Sequence, residues 1–348
     1  MEWARQLAGV KATRIEAFGD SDALETGDIE RPEPRSEQVL LEVRAAGINF
    51  ADIMQRRGEY PGGPQPPFTP GMEVAGVVSE VGDEADLDEG DRVVGLVGQG
   101  GYAEYAIADP QALFPIPEGM SFEEAAGFPV QYLTAHNCLF EWGGLEREAQ
   151  SASENASERS PRAKAERVLI HAAAGGVGTA AVQLASRAGA EVFGTASTQE
   201  KLDLSSELGC DHPINYTESD FSEEIEELTD EGLDLVLDGV GGESFRKSLD
   251  ALASFGRIVA YGVASGEPGR VETPEIFFGN SSIIGYHLGK ASQQTPERVF
   301  AAVSDLTEGF ASGDLGVVVG ETFDLEEAAE AHRFIENRES SGKVVLVP

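Results

Sequence analysis

Cysteine is scarce in this chain: Cys138 and Cys210 stand alone among 348 residues. Two cysteines in so long a sequence build no disulfide framework, and a reducing cytoplasm is the expected compartment. Cations are scarce as well. Lysine and arginine number 25 against 62 aspartates and glutamates, a formal charge of −37. Such a surface repels phosphate backbones and anionic lipid, so neither nucleic acid nor a membrane is an expected partner. The acids run along most of the chain and do not gather in a tail. Spread in this way they read as a halophilic, solvated surface, stable in molar salt and less so in dilute buffer. No apolar run reaches the roughly 20 residues of a membrane span, and the N-terminus lacks a secretory apolar segment.

What the chain does have is one stretch that organises the rest. Val168, Leu169 and Ile170 form a short apolar run, and Gly175, Gly176 and Gly178 follow at once. Thr179 to Arg187 then reads as a helix with Val182, Leu184 and Ala185 on its apolar face. Strand, glycine turn and helix opening form the context of a dinucleotide-binding turn, in which free N–H groups and the helix dipole hold a pyrophosphate. The match to G-x-G-x-x-G is incomplete, because Ala173 stands at the first glycine.

From this point strands and helices alternate. Strands are expected at 168–172, 190–195, 213–216, 233–238, 256–262 and 282–287, and helices at 178–188, 199–208, 219–229 and 243–253. That rhythm predicts a doubly wound α/β domain with a parallel sheet. The preceding half reads differently. Strands at 10–18, 39–46, 73–81, 91–96 and 102–107, separated by glycine turns, predict a β-rich domain, a small barrel. A short helix is expected at 49–57, a capped one after Ser121, and another at 131–140. The segment 147–166 is polar and aperiodic and reads as an exposed insertion. After Leu288 come a helix at 295–310, a strand at 317–323, a helix at 325–337 and a strand at 343–347; periodicity does not assign this tail to either domain.

The second strand of the α/β half bears on the cofactor. A carboxylate about 20 residues past the glycines would bond the ribose diol of NAD. Here Glu191–Thr195 leads instead into Ala196, Ser197 and Thr198, with Lys201 next. Hydroxyls and a cation suit a 2′-phosphate, so NADPH is favoured. Glu200, in the same turn, reads as a solvated helix residue.

Taken together, several motifs resemble the zinc-free quinone oxidoreductases of the medium-chain dehydrogenase/reductase superfamily, and the vesicle amine transport protein branch in particular. They are Ala46-Gly-Ile-Asn-Phe-Ala-Asp-Ile-Met54, Gly58-Glu-Tyr-Pro61, Pro70-Gly-Met-Glu-Val-Ala-Gly76, His171-Ala-Ala-Ala-Gly-Gly-Val-Gly178, Ile214-Asn-Tyr216 and Gly342-Lys-Val-Val-Leu-Val-Pro348. The resemblance implies a GroES-like β-barrel catalytic domain, residues 1–133 and 289–348, plus a Rossmann NADP-binding domain, residues 134–288. Zinc-dependent relatives carry a cysteine where this chain has Asn49 and a histidine where it has Met72. An amide and a thioether do not replace a thiolate and an imidazole on zinc. The expected reaction is therefore reduction of an activated acceptor, a quinone or an α,β-unsaturated carbonyl, by NADPH. The runner-up is a nucleotide-binding protein with little turnover.

The resemblance also implies roles. Asn49 orients cofactor and substrate, Tyr60 bonds the acceptor oxygen, and Asp52 holds Asn49 or the loop. Thr134, Gly175, Gly176, Val177, Gly178, Ser197, Lys201, Tyr216, Gly262, Val263 and Arg338 are the expected cofactor residues, with Lys201 and Arg338 on the 2′-phosphate and Tyr216 near the adenine. His136 and His171 read as packed histidines. A homodimer through the edge strand Ser281 to Leu288 is expected.

Overall fold

A computed structural model of the chain describes residues 9–147 and 165–348. The inner part of the expected insertion and the first eight residues lie outside them. The chain divides into two units, Met1–Val130 with Val317–Pro348, and Gln131–Gly316.

In the first unit, strands β1 (Val10–Ile15) and β2 (Leu24–Ile29) form an antiparallel pair. The hub is β3 (Val39–Ile48), flanked by antiparallel β4 (Glu73–Val81) and β6 (Tyr105–Ala108). From β4 the sheet runs on through β5 (Arg92–Leu96) to β7 (Leu113–Pro115). Val39, Leu41, Val43, Val74, Val78 and Val93 point into one apolar core from these strands. Helix α1 (Phe50–Arg57) leaves β3 directly and stops at Gly58, whose φ of 74° is left-handed. Helix α2 (Phe122–Ala126) has the expected cap: the Glu124 N–H donates to Ser121 Oγ, and Glu124 Oε2 accepts from the Ser121 N–H.

The chain enters the second unit along α3 (Pro129–His136), which widens into a π-helical turn, Asn137–Glu141. The Asn137 amide donates to the carbonyls of Leu133 and Val299, so the expected single helix at 131–140 changes pitch where this side chain inserts. Then β8 (Arg167–Ile170), α4 (Gly176–Arg187), β9 (Glu191–Ala196), α5 (Gln199–Glu207), β10 (His212–Asn215), α6 (Phe221–Leu228), β11 (Leu233–Asp238), α7 (Gly242–Asp250) and β12 (Leu252–Ala260) follow in strict alternation. After α8 (Thr273–Gly279) comes β13 (Ser282–Gly285). The six strands pair in parallel in the order β10-β9-β8-β11-β12-β13. Numbered from β8 this is 3-2-1-4-5-6, the dinucleotide-binding order.

The tail divides. Helices α9 (Leu288–Gln294), α10 (Pro296–Phe300) and α11 (Ala302–Ser312) group with the second unit, so residues 289–316 do not join the barrel as the resemblance implied. Val299, Ala302 and Leu306 are buried there, and Asp305 pairs with Arg147 and Arg187. Only β14 (Val319–Asp324), α12 (Ala328–Glu336) and β15 (Lys343–Val347) return to the first unit, β15 antiparallel to β3 and β14 parallel to β15.

Candidate active site

Asn49 stands at the junction of β3 and α1 as the helix cap. A capping asparagine ordinarily gives its side chain to the first-turn N–H groups. This one turns away. Its Nδ2 donates to Glu73 Oε1 at 2.9 Å, and its Oδ1 accepts from Lys343 Nζ at 2.9 Å. Lys343 also pairs with Glu73, and both are fully buried. The other Glu73 oxygen accepts the Val130 N–H at 2.7 Å. Glu73 opens β4 and Lys343 opens β15, so the sheet brings both strand starts to the end of β3. Gly47 makes room for them: a Cβ there would lie 2.4 Å from the Ala126 carbonyl and 2.5 Å from Lys343 Cε.

Asp52, the third residue of α1, supplies the reciprocal half of a capping box by accepting the N–H of Asn49 itself. Its Oδ2 accepts the Asn49 N–H at 2.8 Å and the Tyr102 hydroxyl at 3.3 Å. Its Oδ1 is buried without a partner. Burial pushes the carboxyl up to about 7, against the opposing pull of the Asn49 N–H and the Lys343 charge. Tyr60 is partly buried nearby; burial raises its phenol, and the Asp52 charge adds to the shift. Met72, beside Glu73, accepts the Val97 N–H through its carbonyl. Among the described residues, no three or more His, Cys, Asp or Glu side chains are grouped to hold a metal ion.

The second unit carries the residues expected to hold a nucleotide. Helix α4 is capped by Gly175 with no side-chain hydrogen bond, so its first N–H groups, on partly exposed Gly176 and Val177, suit an outside acceptor. Gly178 is required by packing: a Cβ would sit 2.1 Å from the Ala172 carbonyl oxygen. At the C-terminal ends of β9 and β10, the Tyr216 N–H bonds the Ala196 carbonyl at 3.2 Å, and the Thr217 hydroxyl bonds the Ser197 carbonyl at 3.5 Å. Ser197 and Tyr216 are thereby brought together, with Lys201 in the first turn of α5. Glu200 is exposed, as a solvated helix residue should be. Thr134 is buried in α3. Gly262 and Val263 follow β12, where the N–H groups of Ala264 and Ser265 bond the carbonyls of Gly239 and Val240. Asp238 fixes that second loop by accepting the N–H groups of Val240 and Gly241 at 2.7 and 2.9 Å. Arg338 closes α12 in the first unit, in the left-handed region with φ 61°.

The histidines set aside as packed are so placed. His171 bonds the hydroxyls of Thr195 and Ser248. His136 accepts from Arg147 at 2.8 Å, and burial lowers it to about 4. The partners that sequence reasoning missed are Glu73, Lys343, Tyr102 and His332. Two left a trace: Glu73 and Lys343 each begin an apolar strand run with a charge, at a position the strand buries.

Residues 35–118 match the family described as alcohol dehydrogenase GroES-like domain, and residues 176–305 the one described as zinc-binding dehydrogenase. The synaptic vesicle membrane protein VAT-1 homolog of Danio rerio is 37% identical over 336 residues, covering 91% of this chain and 65% of that protein. The quinone oxidoreductase of Homo sapiens is 33% identical over 343 residues, covering 97% of this chain and 98% of its own. The quinone oxidoreductase of Escherichia coli, solved in complex with NADPH, superposes with a TM-score of 0.87 at 29% identity, over 97% of this chain and all of that one. No helix among the described residues is long and apolar enough to cross a membrane. With its GroES-like unit, its 3-2-1-4-5-6 sheet and these relatives, the chain belongs to the quinone oxidoreductase-like family of the medium-chain dehydrogenases/reductases.

Proposed function

We propose that this protein is an NADPH-dependent oxidoreductase that works without zinc and reduces a quinone or an α,β-unsaturated carbonyl. The observation that carries the reading is the set of partners around Asn49. Its amide is engaged on both sides, by Glu73 and by Lys343, and Met72 offers only a thioether. Neither residue matches the thiolate and imidazole that zinc takes. With no Lewis acid to ionise an alcohol, the acceptor must be electrophilic already.

NADPH, when bound, supplies hydride from the nicotinamide ring. The residues of the second unit fit it: the uncapped start of α4 for the pyrophosphate, Ser197 and Lys201 for the 2′-phosphate, Tyr216 for the adenine, and Thr134, Gly262 and Val263 for the nicotinamide end. In the first unit, Asp52 holds the Asn49 backbone, Asn49 orients the reacting groups, and Tyr60 donates to the acceptor oxygen as charge develops there. Among the described residues the outer strand β13 pairs with β12 alone, and its other edge suits the joining of two copies.

Lys201→Ala tests the cofactor assignment. NADPH affinity should fall by about 1–3 kcal/mol, the worth of one charge-assisted contact, while NADH affinity hardly moves. Equal loss for both nucleotides, measured by titration calorimetry, would remove Lys201 from the phosphate site.

A further inference from the structure

Asp52 is the end of a buried hydrogen-bonded chain that crosses the first unit from α1 to α12. Tyr102 Oη lies 3.3 Å from Asp52 Oδ2 and 3.0 Å from His332 Nε2. His332 Nδ1 lies 3.2 Å from Arg56 Nη1, and Arg56 pairs with Glu336 at 2.5 Å. Asp52, Tyr102, His332 and Arg56 are all buried.

The protons in this chain follow from the chemistry of its members. A guanidinium only donates, so His332 Nδ1 accepts from Arg56 and the ring proton sits on Nε2. That Nε2–H donates to the Tyr102 oxygen. The Tyr102 hydroxyl proton is then left for Asp52 Oδ2, which also takes the Asn49 N–H at 2.8 Å. Burial, with Arg56 beside it, lowers His332 to about 3 and keeps the ring neutral. Oδ2 therefore carries two donors, and a proton held by the carboxyl belongs on the unpartnered Oδ1.

The charges around Asp52 point the same way. Of the groups facing it, Tyr60, Tyr102 and His332 are neutral, Lys343 is committed to Glu73, whose own charge also pushes Asp52 up, and Arg56 is committed to Glu336. An ionised Asp52 would be a fully buried anion without a cation of its own. It would also oppose the negative charge that hydride addition places on an acceptor oxygen.

We propose that burial holds Asp52 as a neutral acid and that Tyr102, oriented by His332, is a positioning residue that occupies Oδ2 and so directs the acid's proton to Oδ1, where this carboxyl serves the site as a hydrogen-bond donor and not as an anion. The role in catalysis rests on the function proposed above; the protonation state and its cause do not, and they are measured separately.

The test is a pH titration of the full-length protein labelled with carboxyl-13C aspartate, followed by NMR, with Asp52→Asn to assign the signal. Wild-type Asp52 should stay protonated well above the range in which surface aspartates ionise. In Tyr102→Phe its midpoint should move up by about one pH unit, since a donor favouring the anion is gone. His332→Gln, whose amide can accept from Arg56 and donate to Tyr102, should keep the wild-type midpoint. Ionisation together with the surface aspartates overturns the proposal, and so does a midpoint that Tyr102→Phe leaves in place. Should Tyr102→Phe not fold, wild type and His332→Gln decide, and unequal midpoints overturn it. Quinone reduction, followed in parallel, should fall as pH rises through the same midpoint. A protein with the raised midpoint but no turnover would lose the proposed function and keep this assignment; turnover with an ordinary midpoint would do the reverse.

Discussion

Lys343→Met should destabilise the first unit by about 3–5 kcal/mol, the cost of leaving a buried partner charge unpaired. Lys343 and Glu73 are both fully buried, and Lys343 is the cation that neutralises Glu73 there. The Asn49 amide and the Val130 N–H would still donate to the carboxylate, but neither carries charge. Glu73→Gln should cost a similar amount, because it strands the lysine. The double variant Glu73→Gln, Lys343→Met should recover most of the loss, since replacing a whole buried pair by neutral groups is often close to neutral. The measurement is a double-mutant cycle by denaturant unfolding at one fixed salt concentration. Single variants that each cost under about 1 kcal/mol would mean that the pair does not behave as a desolvated ion pair. The cycle also reaches the chemistry. Asn49 Oδ1 is held by Lys343, so loss of the lysine frees one side of the amide on which the orienting role depends.

Gly178→Ala should damage both folding and cofactor binding. The new Cβ would lie 2.1 Å from the Ala172 oxygen and 2.8 Å from the backbone of Ala173, and backbone does not step aside as a side-chain tip does. Helix α4 would have to move off the turn, at about 1–3 kcal/mol of stability. NADPH affinity should drop about tenfold or more, or at least about 1.4 kcal/mol. Gly175→Ala separates the two effects. Its Cβ would meet the Ala172 oxygen at 3.2 Å and the Ala172 Cβ at 3.9 Å, a milder contact at the place where the backbone must approach a pyrophosphate. It should fold nearly as wild type yet bind NADPH poorly. If Gly175→Ala binds as well as wild type, the pyrophosphate does not rest on this turn.

Much of the fold was legible because its signals are local. The β4 and β15 bounds agree with the runs read at 73–81 and 343–347, where apolar residues cluster between turns. The α/β alternation from Val168 was read for the same reason. Strand β2, Leu-Glu-Thr-Gly-Asp-Ile, was not read: acids and a glycine interrupt it, and its order comes from pairing with β1. Strand β12 starts at Leu252, ahead of the expected 256, because an irregular pairing with Phe255 at φ 67° hides the early part from periodicity. Helices α10 and α11 have clear apolar positions, but a periodic face does not say which unit it will bury against.

The site divides in the same way. Asn49, Asp52 and Tyr60 were named from motif resemblance, and the structure supplies what the motif lacks, the direction of each side chain. Asn49 could have been a plain cap; it stands at the helix start with its N–H held by Asp52, and its amide reaches Glu73 and Lys343. Lys343 is 294 positions from Asn49, and His332 is 230 from Tyr102. No window along one sequence joins such pairs. Each reads alone as a charged or polar residue in an apolar run, and only the return of the tail to β3 gives it a partner.

The most direct test of the central claim is oxidation of NADPH, with NADH in parallel, by the purified protein in molar potassium chloride against a quinone, an enone and a simple aldehyde. The account predicts turnover of the quinone or the enone with NADPH, no loss of rate on exhaustive chelation, and no turnover of the aldehyde. Turnover of the aldehyde that stops with chelation would contradict it. So would tight NADPH binding with no turnover of any acceptor, which would mark the chain as a nucleotide-binding protein and leave the Asn49–Glu73–Lys343 cluster as architecture.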